Sequence, residues 1–325
     1  MKVPTKRGLL LSMWQIALVF CKLPPHPLFF AYLALVSVCF FWGTTYLGIR
    51  MALEGFPPLL LIGGRFFIAG VLMLAIAFAT KSPFPKGRQL WLTCLYGLMI
   101  LGVANGALTF AEVWIPSSLA AVMVATGPFW FVGIEHATGG ERIQPRALLG
   151  LLVGFCGVLI LLLPHIGWNQ FDGSVWKGFL LLNFGGLFWN GGSLLQRRQQ
   201  LKTHPFVSGA IQNFACGLVV LPIALVLPHA PIVWKLNSVL AVTYLIIFGS
   251  LVGFSSYIYV LEKLPLRLVP IYNYVNPAVA AVLGVLFYNE PFGWLELAAM
   301  LVIFAGVAIV KSGSSSPKRT NQLTG

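Results

Sequence analysis

Residues 265–310 read PLRLVPIYNYVNPAVAAVLGVLFYNEPFGWLELAAMLVIFAGVAIV, and residues 116–161 carry a second version, PSSLAAVMVATGPFWFVGIEHATGGERIQPRALLGLLVGFCGVLIL. Laid over each other without a gap, Pro116 meets Pro265, Leu119 meets Leu268, Pro128 meets Pro277 and Glu141 meets Glu290. Val153, Phe155, Gly157, Val158 and Ile160 then meet Val302, Phe304, Gly306, Val307 and Ile309, all at a separation of 149. A separation of 147 serves the earlier part, pairing Phe41-Trp42 with Phe188-Trp189, Arg50 with Arg197, Pro58 with Pro205, Gly70 with Gly217, Gly102 with Gly249 and Gly106 with Gly253. Two extra residues near Glu262 and Lys263 absorb the difference. The chain is a tandem duplication, and that has to be settled before any fold is assigned.

Of the 325 residues 58% are hydrophobic and only 9% charged. A water-soluble domain carries about 25% charged residues, so lipid is the solvent this surface suits. The formal net charge of +13 falls in clusters between apolar runs. No zinc-finger spacing, aromatic RNA-binding motif or basic helix accompanies it, so nucleic acid is not an expected partner. Cys21, Cys39, Cys94, Cys156 and Cys216 lie singly in or beside apolar runs, with no CxxC and no nearby His at ligand spacing. They read as small core hydrophobes, and no metal or other cofactor is expected.

Residues 1–27 hold Lys2, Lys6 and Arg7, the apolar run Gly8 to Cys21, then Lys22 and Pro24-Pro25. The pattern is that of a signal peptide without a small-residue cleavage site; it reads as a cytoplasmic or membrane-surface extension, a start codon placed too far upstream being the alternative. Ten apolar runs follow, at 28–49, 57–79, 90–111, 116–135, 146–164, 177–196, 205–227, 238–260, 267–288 and 294–311. At about 1.5 Å per residue each is long enough to cross a hydrocarbon core of about 30 Å. With a cytoplasmic N-terminus, most Lys and Arg fall on the inner side and only Arg50, Lys177 and Lys235 fall outside, Arg65 being inside a span. The bias of basic residues to the cytoplasm therefore predicts that both termini are cytoplasmic.

Five spans per copy is an odd number, so the second copy starts from the opposite side. The expected fold is an all-α membrane protein of ten transmembrane helices, built as two inverted five-helix repeats at 28–164 and 177–311, with a cytoplasmic tail at 312–325. Such repeats supply two nearly equivalent shapes, one open to each side, as alternating access requires.

Several local patterns, in this order and spacing, resemble the EamA-type members of the drug/metabolite transporter (DMT) superfamily. They are Trp42-Gly43-Thr44-Thr45-Tyr46 leading to Arg50, Pro57-Pro58 leading to Arg65-Phe66, and Ala104-Asn105-Gly106 before Ala111-Glu112. Pro116-Ser117-Ser118-Leu119-Ala120-Ala121, Tyr274-Val275-Asn276-Pro277, Glu290 and Gly306-Val307 complete the set. The resemblance runs from about residue 30 to 311. It implies an inner-membrane carrier with a central cavity lined by the first, third, fourth, sixth, eighth and ninth helices, exporting small metabolites or toxic analogues. It does not name the cargo, since one scaffold of this kind serves many.

Polar groups deep in spans are costly unless a cavity or partner receives them, so they mark the candidate site. The ninth span offers Tyr272, Asn273, Tyr274 and Asn276 just before Pro277. Proline has no N–H, so Pro277 releases the Asn273 carbonyl and Pro128 that of Val124, and both are expected helix kinks. Asn183, Trp189, Asn190 and Ser193 of the sixth span are expected, in the inverted arrangement, to face Trp42, Thr44 and Thr45 of the first, and Asn105 lies in the third. An aromatic and amide wall would hold a small amphipathic solute; packing or interfacial roles for Trp42 and Trp189 stay open. The GxxxG pairs Gly102/Gly106 and Gly249/Gly253 read as close helix contacts. Arg65 is expected to pair with Glu112, as a clamp, a gate or a proton-carrying site. Glu141 and Glu290 read as helix caps.

The reading these features support is a secondary transporter exporting small metabolites, such as amino acids or related amphipathic compounds and drugs, across the inner membrane. Its partners are a small-molecule substrate and the bilayer, and self-association into a homodimer stays open. An intramembrane enzyme would need a convergent catalytic set, yet His26, His136, His165, His204 and His229 all fall in loops or at span ends. There is no phosphate-binding GxxxxGK[ST] loop. A non-transporting sensor or subunit is the remaining alternative.

Overall fold

The computed structural model describes residues 28–115, 117–139, 144–162, 173–200, 203–288 and 293–312. The expectations for residues 1–27, Pro116, Glu141, Glu290 and the tail beyond Ser312 fall outside them. A helix lies over each of the ten apolar runs, and no strand is present among the described residues. They are α1 (Phe29–Leu53), α2 (Pro58–Ala79), α3 (Arg88–Trp114), α4 in two pieces (Ser117–Val124 and Gly127–Ala137), α5 (Pro145–Leu162) and α6 (Gly173–Arg198). Then come α7 (Pro205–Val226), α8 (Leu236–Lys263), α9 (Tyr272–Tyr288, entered through a 3-10 turn at Leu266–Ile271) and α10 (Trp294–Ser312). α1, α2, α3, α7 and α8 are long and apolar enough to cross a membrane, and α5 and α10 hold shorter apolar stretches.

The distribution of polarity is the reverse of a soluble protein's. Val71, Leu72, Ile76 and Phe78 of α2 and Leu218, Val219, Ile223 and Leu225 of α7 are exposed, while Arg65, Glu112, Gln196, Gln212, Asn213, Asn273 and Asn276 are buried. Exposed apolar area on this scale suits hydrocarbon, where each helix satisfies its own backbone. Proline marks matching starts. Pro58 and Pro205 each occupy a first helical turn, where a missing N–H is harmless.

Two faces of the bundle can be told apart by what their connectors touch. On one, here called the Glu54 face, Val233 N donates to Gly55 O at 2.9 Å and Ser238 Oγ to Met51 O at 2.8 Å. On the other, the Arg198 face, Arg198 Nη2 reaches Glu135 Oε2 and Thr138 Oγ1, each at 2.7 Å. α1 thus ends on the face where α6 begins, and α2 begins where α7 ends.

Corresponding helices meet across this arrangement. A Cβ on Gly70 would lie 2.3 Å from Phe214 N, and one on Gly217 would lie 2.2 Å from Phe67 N. Since 214 and 217 are 67 and 70 shifted by 147, one contact has been made twice. α5 and α10 do likewise, with Gly306 against the Gly154 backbone and Gly157 against Ile303. Small residues let backbones approach this closely where no aqueous hydrophobic effect drives association.

The glycine pairs of α3 and α8 behave differently from the expected helix contacts. Both regions are π-helical, Leu98–Ala104 in the first copy and Leu245–Phe254 in the second, again 147 residues apart. Gly102 and Gly106 meet only side-chain atoms at 3.8 Å. Gly249 and Gly253 instead make room for Arg65 Nη2 and Trp42 Nε1. A π turn widens the helix and recurs at functional sites; here both lie beside the cavity described below.

Each copy also ties its first helix to the C-terminal end of its own third. Arg50 Nη1 donates to Glu112 O at 2.6 Å, and Arg197 Nη1 donates to Leu264 O at 2.6 Å and to Leu261 O. A cation over free C-terminal carbonyls is doubly favourable. Arg50→Ala and Arg197→Ala are each expected to cost about 1.5–3 kcal/mol, read as a lower thermal unfolding midpoint in detergent. Lys235→Ala, whose pair with Glu54 is exposed, is expected to stay within about 0.5 kcal/mol of wild type. Equal midpoints for all three would contradict the capping role.

Candidate functional site

A cavity with an empty volume of about 870 Å³, open space at its mouth included, lies where the two copies meet. α1 contributes Trp42, Thr45 and Tyr46, α3 Leu101, Ala104, Asn105 and Leu108, and α6 Leu182, Gly185, Gly186, Trp189 and Asn190. These recur every three or four residues because that spacing keeps one face of a helix toward one neighbour. α4 adds Met123, Val124, Thr126 and Gly127 around its break, and Trp130. α8 adds Gly249, Ser250 and Phe254, α9 adds Tyr272, Asn273 and Asn276, and α2 contributes Arg65 and Phe66. Arg65 carries the one formal charge in this wall.

An aromatic cluster closes the cavity toward the Arg198 face. The Trp42 ring lies 5.3 Å from Trp189, 5.0 Å from Tyr257 and 5.2 Å from Tyr272, and Tyr257 is 5.7 Å from Tyr272. Trp42 Nε1 donates to Gly249 O at 3.1 Å, a carbonyl of the π segment, and the Tyr257 hydroxyl is paired with Ser193 Oγ at 2.6 Å. Trp42 and Trp189 hold equivalent places in the two copies, so this seal is made at the seam between them.

α4 is broken where the cavity is widest in polar groups. Thr126 Oγ1 and N both turn back to Met123 O, at 2.6 and 3.2 Å, and helix resumes at Gly127 with Pro128 in its first turn. The missing side chain of Gly127 leaves space for Asn273, whose Nδ2 would be 2.9 Å from a Cβ there. Asn190 Nδ2 donates back to Gly186 O at 2.8 Å. Asn276 donates to Tyr272 O at 2.9 Å and, across to α1, to Cys39 O at 3.0 Å. Asn105 Oδ1 and Asn273 Oδ1 are buried without a hydrogen-bond partner.

Of the residues expected to line a cavity, Trp42, Thr45, Asn105, Trp189, Asn190, Tyr272, Asn273 and Asn276 come together in this one. Thr44 and Tyr274 do not. Thr44 Oγ1 bonds Phe41 O and the Tyr244 hydroxyl on the flank of α8. Tyr274 is fully buried against α5, its ring 3.0 Å from a Cβ built on Gly154. At about 100° per residue Thr44 lies about 200° around α1 from Trp42, and Tyr274 about 200° around α9 from Tyr272, so each falls on the side of its helix away from the cavity. Pro128 accompanies a break at Ala125–Thr126 rather than a kink, whereas α9 runs helical through Pro277.

The expected Arg65–Glu112 pair is not formed. Arg65 Nε donates to Ser250 Oγ at 3.2 Å and the guanidinium lies over the Phe66 ring at 4.9 Å, facing α8. Glu112 is fully buried, neither of its carboxylate oxygens having a hydrogen-bond partner, and Arg50 reaches its main-chain oxygen instead. Sequence reasoning passed over Tyr46, Trp130, Ser250 and Phe254. Tyr46 and Trp130 were within reach, lying four residues beyond Trp42 and Thr126 on faces already polar or aromatic; Ser250 needed the π geometry.

A helical bundle with an apolar exterior, a polar cavity at its centre and one plan used twice is the build of a membrane transporter. The chain belongs to the EamA-like transporter family, whose model matches residues 29–163 and again 176–312, and so to the DMT superfamily. It is 35% identical over 294 residues to the uncharacterized inner membrane transporter YedA of Escherichia coli (strain K12), covering 88% of this chain and 91% of that one. It is 24% identical to a probable amino-acid metabolite efflux pump of the same organism, covering 82% of this chain and 90% of that one. A solved crystal structure shares the fold with a TM-score of 0.71 at 22% identity, covering 87% of this chain and 97% of that one.

Proposed function

We propose that the chain is a secondary transporter that exports small metabolites, amino acids or related amphipathic compounds among them, across the inner membrane by alternating access. The observation that carries this reading is the cavity at the seam of the two copies, a largely apolar wall set with a few amides, hydroxyls and one cation, against which the Trp42, Trp189, Tyr257 and Tyr272 rings cluster toward the Arg198 face. On this reading all ten helices cross the bilayer as two inverted five-helix repeats. The basic residues Arg197, Arg198 and Lys263 support a cytoplasmic Arg198 face, with both termini on the same side. The conformer described is then closed to the cytoplasm and accessible from outside. The efflux pump among the relatives supports a metabolite cargo.

The test is flux through purified protein in liposomes, across a panel of amino acids and cationic drugs, with and without a pH gradient. At least one class is expected to move several-fold faster than in protein-free liposomes. Rates at the protein-free level for the whole panel would reject the reading.

A further inference from the structure

We infer that Arg65 receives the carboxylate of the solute, so that the substrate carries a single negative charge beside an N–H donor group. The inference rests on the transporter reading above and narrows its substrate class. Arg65 is only 5% exposed, yet it forms part of the cavity wall. Its Nε is held by Ser250 Oγ, and no carboxylate lies within ion-pair distance among the described residues, whose two ion pairs are Arg198–Glu135 and Lys235–Glu54. A guanidinium at this depth without a counter-charge is costly and marks a functional group.

The fold does not demand that charge. The equivalent position in the second copy, 147 residues on, is Gln212, a neutral side chain whose Nε2 donates to Gln196 Oε1 and Ser208 Oγ, each at 3.0 Å. What packs as an amide in one copy is, in the other, a cation in the cavity wall, lodged against Gly249 and Ser250 of α8. With Nε engaged, the two Nη groups remain as a fork matched to the two oxygens of a carboxylate. One cation balances one negative charge, and a phosphate dianion would leave a second one buried and uncompensated. In the same wall Asn105 Oδ1 and Asn273 Oδ1 are acceptors without donors, and an amino group of the solute supplies them. The positive end of the α4 helix that starts at Gly127 adds to the field at the same cavity.

The test compares matched probes, phenylalanine, its amide, phenethylamine and 3-phenylpropionate, by quenching of tryptophan fluorescence in purified wild type, Arg65→Gln and Arg65→Lys. Wild type is expected to bind phenylalanine at least tenfold more tightly than its amide. Arg65→Gln should lose that preference, and Arg65→Lys should keep part of it, with helix content unchanged in both. Equal affinity for acid and amide in wild type, an undiminished preference in Arg65→Gln, or no binding of either carboxylate overturns the proposal. Flux of the same probes is read separately. A carboxylate preference in binding without any movement would sink the transporter reading and leave the anion site standing; movement indifferent to the carboxylate would do the reverse.

Discussion

Gly217→Leu is expected to leave almost no protein that survives detergent extraction as a monodisperse species. The reason lies in what a side chain there would strike. Its Cβ would be 2.2 Å from Phe67 N and 2.3 Å from Phe67 Cα, so the obstacle is main chain, which no rotamer change can move aside. Extra methylenes in a packed core ordinarily cost about 1–3 kcal/mol when side chains can adjust. Here two helices would have to separate, and the reciprocal contact of Gly70 with Phe214 would be lost with them. Gly64→Ala is the control, since nothing lies within 4 Å of a Cβ built there; helix propensity alone favours that change by about 0.8–1.0 kcal/mol. Thermal unfolding followed by circular dichroism, with a size-exclusion profile, separates the two. A Gly217→Leu protein melting like wild type would show that α2 and α7 do not pack as described.

Trp42→Ala has the largest expected effect on flux. The ring meets three others at 5.0 to 5.3 Å, and aromatic pairs contribute about 0.5–1.5 kcal/mol each beyond the area they bury. Losing three contacts at about 1 kcal/mol apiece shifts the balance between open states by roughly 100-fold, because every 1.4 kcal/mol is a factor of ten. An alternating carrier needs both states populated, so flux is expected to fall at least tenfold while the protein stays folded. The shift itself can be read from a cysteine at Thr45 in a background freed of native cysteines. Its labelling by an impermeant reagent from outside should drop when Trp42 is truncated. Unchanged labelling together with unchanged flux would remove the aromatic cluster from the gating scheme.

How much of this was visible in the residues themselves depended on the range of the interaction. The duplication, the ten helical runs and the polar content of the cavity follow from composition and spacing, which a chain in lipid displays openly because its exposed surface is apolar. The side of a helix on which a residue falls is less legible. Thr44 and Thr45 are equivalent as letters, and only the packing of α1 against α8 turns one to Tyr244 and the other to the cavity. Arg65 was matched with Glu112 because an internal charge invites an opposite one. The pairing fails because the Arg65 side chain is directed at α8, through the space that Gly249 leaves open. The π segments and the break in α4 have no letter of their own; they emerge from how carbonyls are shared along a crowded helix.

If the chain alternates between two states as proposed, that break bears on the second of them. Position for position, Ser117–Val124, the gap at Ala125–Thr126 and the helix from Gly127 correspond to Leu266–Asn273, Tyr274–Val275 and the helix from Asn276. In the second copy the chain winds those same positions differently, as a 3-10 turn followed by unbroken helix. If the two halves trade conformations as the carrier turns over, α9 unwinds at Tyr274 while α4 closes up. Tyr274, whose hydroxyl is buried beside α5 with nothing to bond, would then be the side chain that swings into water, and the mirror-image pose of the molecule is already sketched in its present one.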